Sequence, residues 1–157
     1  GENTEFVLAW QKDTSINKDI TITRHDIQEI LLAKAAVYTG THILLERLNL
    51  KPNDVEKLYI AGAFGTYIDL TNTLTIGMFP EIPTNKIQFV GNTAGSGGRL
   101  VLLSEKLRSK AEEIAINTGY IELASDPSFE TEFTNALWLP HREKERFPSI
   151  MKMFGKH

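Results

Sequence analysis

Two short apolar strands, each followed by a glycine-rich turn that should lead into a helix, constrain the fold of this chain most strongly. The first is Leu58-Tyr-Ile-Ala-Gly-Ala-Phe-Gly65, and the second is Ile87-Gln-Phe-Val-Gly-Asn-Thr-Ala-Gly-Ser-Gly-Gly98. Glycine lets the backbone turn sharply and lets a ligand approach without meeting a Cβ atom, while the first N–H groups of the next helix can bind an anion. The pair indicates a nucleotide crevice, although two ordinary strand-to-helix turns would share the pattern.

The composition is that of one globular domain spanning residues 1–157. The chain is 41% hydrophobic and 24% charged, and its apolar runs are far shorter than a membrane span. The absence of cysteine excludes disulfides, thiolate metal sites and iron–sulfur ligation within these residues. A net charge of -3 with scattered basic residues argues against a nucleic-acid partner. We therefore expect a cytoplasmic protein with no membrane or nucleic-acid partner.

Both ends of the chain suggest specific expectations. It begins Gly1-Glu2-Asn3 without an initiator methionine, so we expect a C-terminal portion of a longer protein. Residues 141–157 open with His141-Arg-Glu-Lys-Glu-Arg146, and this composition predicts a solvated, charged tail.

The first third of the chain predicts a hairpin and a long helix. Residues 5–10 and 19–23 are rich in strand-forming side chains and are separated by a polar loop. Thr23 and Asp26 have the spacing of a capping box, and apolar residues then recur at helical spacing as far as Leu48. We expect much of this helix to be buried against the sheet, because further apolar side chains widen its stripe. These are Leu32, Ala36, Val37, Ile43 and Leu44.

The remaining residues predict an alternation of strands and helices. The predicted strands are 57–61, 87–90 and 120–123, and the predicted helices are 70–77, 99–117 with a break near Ser104 or Ser109, and one starting at Ser125-Asp126-Pro127. Alternation of this kind predicts an α/β fold with a mainly parallel sheet, one antiparallel hairpin and flanking helices.

Isolated polar residues give little evidence of catalysis. The four histidines are dispersed without metal-ligand spacing, so structural or exposed roles are favoured for them. Asp69 is expected to cap the next helix, with contact to a metal-bound phosphate as the alternative. Lys34 is expected to lay its stem along apolar surface, with nucleotide contact as the alternative. Neither a phosphate-loop lysine motif nor a complete dinucleotide fingerprint is present.

Several ordered motifs nevertheless resemble one family over nearly the whole chain. They are Asp19-Ile-Thr-Ile-Thr-Arg-His-Asp-Ile27, Leu32-Ala-Lys-Ala-Ala36, Tyr59-Ile-Ala-Gly-Ala-Phe-Gly-Thr-Tyr-Ile-Asp69, Val90-Gly-Asn-Thr-Ala-Gly95 and Tyr120-Ile-Glu-Leu123. Together they resemble the C-terminal end of reductive activators of corrinoid proteins. Such proteins resemble a ferredoxin joined to an ATPase of the sugar kinase, chaperone and actin superfamily. The resemblance implies a ribonuclease H-like, actin-like half-domain.

The resemblance assigns nucleotide-binding roles to particular residues. Gly62, Ala63, Phe64 and Gly65 match the adenosine motif near the adenine and ribose. Gly91, Asn92, Ala94, Gly95 and Gly97 match the connecting segment, whose small residues let a helix pack closely at the hinge. Lys34 lies where chaperone-like relatives place polar contacts to the nucleoside. Arg24 and His25 replace a less charged pair expected before the Asp-Ile step.

The implied activity belongs to a longer parent protein. That parent would use ATP and magnesium, with an iron–sulfur cluster in a missing N-terminal domain, to drive cob(II) to cob(I) reduction in a corrinoid protein of a methyltransferase system. This chain lacks the phosphate loops expected upstream, so alone it should be inactive. Two alternatives stay open: a non-enzymatic α/β module that docks a corrinoid or other protein, and a standalone α/β protein of unrelated function. Self-association through an exposed sheet edge is a further expectation.

Overall fold

Four strands form two small sheets in the computed structural model, which describes residues 4–62 and 68–155. Strands β1 (Glu5–Ala9) and β2 (Ile20–Thr23) pair in antiparallel fashion, as the sequence predicts. Strands β3 (Leu58–Ala61) and β4 (Ile87–Gly91) pair in parallel. The α/β class is therefore confirmed, with the hairpin and the parallel pair as separate two-stranded sheets among the described residues.

A long helix, α1 (Arg24–Arg47), follows the hairpin directly. The predicted capping box is present: the Thr23 hydroxyl accepts from the backbone N–H of Asp26 at 3.1 Å, and the Asp26 carboxylate accepts from the N–H of Thr23 at 2.8 Å. The Thr23 hydroxyl also donates to the Asp26 carboxylate at 2.7 Å, and this bond, followed by the one from the Thr23 N–H, lowers the pKa of Asp26. The local sequence thus fixes where α1 begins.

Helix α1 packs mainly on α5 (Phe129–Ala136), where the sequence analysis expected the sheet. The shared core contains Ala35, Tyr38, Ala136 and Phe147, each at most 1% exposed. The expected burial of the wide apolar stripe is wrong for part of it, because Leu32, Val37 and Leu44 are 39–45% exposed. These three side chains are therefore left largely uncovered by the described residues.

The other helices are shorter. They are α2 (Leu70–Thr75), α3 (Thr93–Leu103), α4 (Glu105–Asn117) and α6 (Pro148–Phe154). The break between α3 and α4 falls at Ser104, one of the two predicted positions, and the Ser104 hydroxyl accepts from the N–H of Leu107 at 3.3 Å. Two expectations are wrong. Residues 120–123 form no strand, since Tyr120 is 82% exposed and a short 3-10 turn begins at Leu123. Pro127 precedes α5 instead of lying in its first turn.

The expectation of a solvated tail holds for the exposed residues 142–145 but is wrong for the residues on either side of them. His141 and Phe147 are each only 1% exposed, and α6 follows them. Their rings pack against Tyr38 of α1, with centroid separations of 4.9 and 5.8 Å. The sequence does not predict this burial, because the two rings are separated by charged residues and form no periodic apolar pattern.

The chain has far more surface than a compact protein of its mass. Its accessible surface is 11860 Å², whereas folded monomers of this mass expose about 8,000 Å². Large apolar side chains that remain exposed contribute to this area. They include Trp10 just after β1, Leu103 on α3 and Ile116 on α4. Among the described residues, no helix combines the length and apolar composition that crossing a membrane requires.

Candidate nucleotide-binding site

The parallel pairing of β3 and β4 brings the two predicted glycine turns to the same edge. Ala61 aligns with Gly91 after a bulge in the register, and the N–H of Gly62 donates to the carbonyl oxygen of Gly91 at 2.8 Å. The carboxyl ends of parallel strands are where α/β sheets bind ligands. The structure thus unites the described parts of both turns, which are 25 or more residues apart in the sequence.

Both turns need glycine for their backbone conformation. Gly62 has φ +85° and Gly91 has φ +63°, in the left-handed region that side chains disfavour. A Cβ atom built on either residue would have no heavy atom of the described residues within 4 Å. Those residues therefore leave the space beside both glycines open.

Helix α3 begins directly after the second turn. The Asn92 side chain caps it by accepting from the N–H of Gly95 at 2.9 Å. The expected close helix packing at Gly95 stays a prediction, because the described residues supply no second helix there: an added Cβ would lie 2.9 Å from the Asn92 side-chain nitrogen, and the nearest described atoms all belong to Asn92. Ala94 is exposed, and a Cβ on Gly97 would meet no atom of the described residues within 4 Å.

The rest of the first turn is only partly described. Ala63, Phe64 and Gly65 lie outside the described residues, so their place in the site stays a sequence-based prediction. The turn ends at Asp69, whose carboxylate accepts from the N–H of Asn72 at 2.8 Å and caps α2. The expected capping role of Asp69 is confirmed.

Lys34 is fully buried on α1, and its ammonium is engaged by backbone. Its Nζ atom donates to the carbonyl oxygens of Trp138 and Pro140, both at 2.7 Å. Burial lowers the pKa of Lys34 to about 8, because desolvation disfavours the charged form. Lys34 therefore contacts the C-terminal segment, whereas the glycine residues meet at the strand ends.

Sequence reasoning missed a polar network that joins α1, α5 and the C-terminal segment. Arg146 donates to both carboxylate oxygens of Glu132, at 2.8 and 3.2 Å. Its Nη1 atom also lies 3.4 Å from the Tyr38 hydroxyl and 3.0 Å from Nε2 of His42. The only indication in the sequence was the i, i+4 spacing of Tyr38 and His42, which places both side chains on one face of α1. Their partners, Arg146 and Glu132, lie at no regular spacing from them.

A groove of about 620 Å³ lies apart from the glycine turns, between α2, residues 81–85 and α6. Its lining includes Leu74, Ile82, Phe147 and Met153, and the Glu81 carboxylate beside it accepts from the N–H of Ser149 at 2.8 Å. Within 4–62 and 68–155, no group of three histidine or carboxylate side chains is arranged to hold a metal ion.

A family model described as the C-terminal domain of RACo, the ASKHA domain, matches residues 1–151. The chain belongs to this family. It has the actin-like ASKHA fold, as the resemblance implied. The resemblance to reductive activators of corrinoid proteins is confirmed by the same match.

Two curated proteins and one solved structure that are similar to this chain agree with this assignment. The chain is 44% identical over 134 residues to the corrinoid activation enzyme RamQ of Eubacterium limosum, covering 85% of this chain and 23% of that protein. It is 26% identical over 140 residues to the [Co(II) methylated amine-specific corrinoid protein] reductase of Methanosarcina barkeri, covering 87% and 26%. A solved reductive activator for a corrinoid, iron–sulfur protein superimposes with a TM-score of 0.84 at 41% identity, covering 92% and 23%. The chain thus spans about a quarter of the length of these relatives.

Proposed function

We propose that this chain forms the nucleoside side of the ATP cleft in a reductive activator of a corrinoid protein. The observation that carries the proposal is the convergence of Gly62 and Gly91 at one strand edge, joined by a 2.8 Å hydrogen bond. Both have positive φ and open space where a Cβ would be. The family resemblance assigns Gly62 to the adenosine motif and Gly91 to the connecting segment, and the need for glycine in the backbone at both positions supports the proposed role.

The described residues would contribute to binding in different ways. Gly62 and Gly91 would let adenine and ribose approach the backbone, and the first turn of α3 would present the N–H of Ala94. The N–H of Gly95 already donates to Asn92, so Gly95 would contribute by carrying no side chain beside the ligand. Gly97 would keep the outer face of α3 open, while Asn92 holds the start of the helix in place. Ala63, Phe64 and Gly65 complete the proposed set. Lys34 is left out, because its ammonium already donates to two carbonyl oxygens.

The phosphate and redox chemistry would come from other parts of a longer protein. Magnesium and the phosphate loops would be supplied from the facing side of the cleft, since ATPases of this type close two halves around the phosphates. An iron–sulfur cluster needs ligands that this cysteine-free chain does not have. The parent would pass one electron to a cob(II) corrinoid to give cob(I), within the cytoplasm, as part of a methyltransferase system. The corrinoid protein is therefore the proposed partner.

Nucleotide titration and hydrolysis of the longer protein, beside the isolated chain, test the proposal. We expect the longer protein to bind and hydrolyse Mg-ATP, and the isolated chain to do neither above background. Half a cleft supplies few contacts, yet association still costs about 4 kcal/mol or more. Nucleotide-independent docking of a corrinoid protein would favour the non-enzymatic module instead. Magnesium-dependent turnover by the isolated chain, abolished by Gly62→Val, would refute the half-cleft assignment.

A further inference from the structure

The carbonyl group of Pro140 is in contact with two helical segments at once. Its oxygen accepts from Nζ of Lys34 on α1 at 2.7 Å. A Cβ atom on Gly77, just beyond α2, would lie 2.2 Å from the same oxygen and 2.8 Å from its carbon. Gly77 is buried and has φ +75°, so neither the backbone nor the space there accepts a side chain. Helix α1 and the end of α2 therefore meet at one carbonyl group.

We propose that Lys34 is a positioning residue for the first glycine turn, acting through Pro140 and α2. The inference rests on the proposed function, because it concerns the same nucleotide site. Lys34 holds the carbonyl groups of Trp138 and Pro140 together, and Gly77 rests on the second of them. The helix that ends the first turn is thereby supported from α1.

Helix α2 depends on such support because it is short. Its six residues are too few to be stable by themselves. Its own hydrogen bonds are local: the Thr73 hydroxyl donates to the carbonyl oxygen of Asp69 at 2.6 Å, and the N–H of Met78 donates to that of Thr73 at 3.1 Å. These bonds shape the helix, and the contact between Gly77 and Pro140 joins its end to the segment that follows α5.

The two described ends of the first turn therefore have separate supports. At its start, the N–H of Gly62 is held by the carbonyl oxygen of Gly91. At its end, Asp69 caps α2, which is followed by the contact between Gly77 and Pro140. Loss of the second support should change the turn while leaving the pairing of β3 and β4 intact.

A donor is needed at position 34 because the carbonyl groups of Trp138 and Pro140 converge on one buried point. A buried polar group left without a partner is costly, so removing the amine loosens the 138–140 segment. Lys34→Met keeps most of the side chain's length and removes the donor. Lys34→Arg keeps donors and a charge, and it serves as the conservative variant. Lys110→Met, at an exposed position on α4, is the matched control.

Hydrogen exchange on the isolated chain tests whether Lys34 supports α2. We expect the amides of residues 70–78 to exchange on the order of tenfold faster in Lys34→Met than in wild type or Lys110→Met, with β3 and β4 amides unchanged. Gly77→Ala, which disturbs the junction from the other side, should give the same pattern, and Lys34→Arg should restore part of the protection. Unchanged exchange in α2, or equal acceleration in every element, would overturn the inference.

Nucleotide affinity of the longer protein tests the link to the site. Measured where all variants are folded, the Kd for ATP should rise about tenfold in Lys34→Met, a loss comparable to one good hydrogen bond. Ile43→Ala is the control for general destabilisation, since Ile43 is 1% exposed on the same helix and lies more than two helical turns beyond Lys34. An unchanged Kd in Lys34→Met, or an equal rise in Ile43→Ala, would refute the positioning role. Failure of wild type to bind ATP would refute the proposed function, while the exchange result would stand.

Discussion

The glycine residues of the candidate site differ in what surrounds them. Gly62 and Gly91 have positive φ and open space, whereas Gly95 is helical and lies against its own cap residue. A substitution at Gly62 thus acts first through backbone strain and through any ligand in the open space. A substitution at Gly95 acts first through Asn92.

The effect of Gly95→Ala should depend on Asn92. In wild type, the added methyl group would press on the Asn92 side chain and weaken a cap that contributes about 1 kcal/mol. In an Asn92→Ala background the conflict is gone, and Gly95→Ala should stabilise the chain by up to ~1 kcal/mol through helix propensity. Urea denaturation of the four variants measures this difference. Equal effects in both backgrounds would show that the cap is not the neighbour that matters.

Lys34 should give the chain a characteristic pH dependence. Its pKa is about 8 when folded and near 10.5 when unfolded, so between these values the unfolded state binds more protons. The stability contributed by Lys34 therefore rises as the pH increases from about 8 to 10.5. We expect the difference in unfolding free energy between wild type and Lys34→Met to grow over this range. A constant or shrinking difference would contradict the depressed pKa.

At the scale of elements, Arg146 links the part of the chain that follows α5 to both α1 and α5. Arg146 binds Glu132 through two hydrogen bonds and reaches Tyr38 and His42, with side chains 26% exposed for Arg146 and 11% for Glu132. Breaking a fully buried ion pair by removing one partner costs about 3–5 kcal/mol. The network joins three elements whose sequences show no sign of it.

We expect Arg146→Met to destabilise the chain by about 2–3 kcal/mol, less than for a fully buried pair because water still reaches the guanidinium. Glu132→Gln should cost less, and the double variant should cost less than the sum of the two. Arg142→Met, at an exposed position nearby, is the control and should have little effect. Additive costs for the two network variants, from thermal or chemical unfolding, would show that the pair is not coupled.

The elements that the sequence predicts well are those encoded by local signals. The capping box of α1, the described parts of both glycine turns and the Ser104 break each depend on residues within a few positions of one another, and the two hairpin strands are separated by one loop. The failures depend on distant partners. Residues 120–123 have alternating character but no strand beside them among the described residues, and His141 is buried against rings that include Tyr38 of α1, a partner far away in the sequence.

In the candidate site, too, local signals are predicted from the sequence and distant partners are not. Glycine spacing predicts two turns, but only the pairing of β3 with β4 shows that Gly62 meets Gly91. Lys34 looks like a polar residue on an apolar helix, and nothing in its neighbourhood in the sequence reveals carbonyl groups more than 100 residues away. Helical patterns record which face is buried, not which partner buries it.

At the scale of the whole molecule, the surface area exceeds the about 8,000 Å² expected for this mass by roughly half. Each sheet has only two strands, so every described strand has one edge without a paired strand. On β1, Phe6 and Leu8 are 68% and 60% exposed and lie on one face. Such an edge beside apolar surface is a template for association.

We therefore expect the isolated chain to self-associate, or to rearrange its hairpin so that the sheet edge is closed. Light scattering over a concentration series measures the first, and backbone hydrogen exchange in β1 and β3 measures the second. Phe6→Lys, which places a charge on the exposed face, should shift the chain toward monomer. A strictly monomeric wild-type chain with fast-exchanging β3 amides would contradict both outcomes.

Photoaffinity labelling of the longer protein with 8-azido-ATP shows whether this domain contacts the nucleoside of bound ATP. The reactive group sits on the adenine ring, so we expect labelled peptides from the two turns, within residues 58–69 or 87–98. Excess ATP should protect both. Gly62→Val should reduce the label, whereas Gly119→Val, at an exposed glycine with ordinary φ and open space, should not. ATP-protected label confined to other parts of the protein would show that this domain does not form the nucleoside side of the cleft.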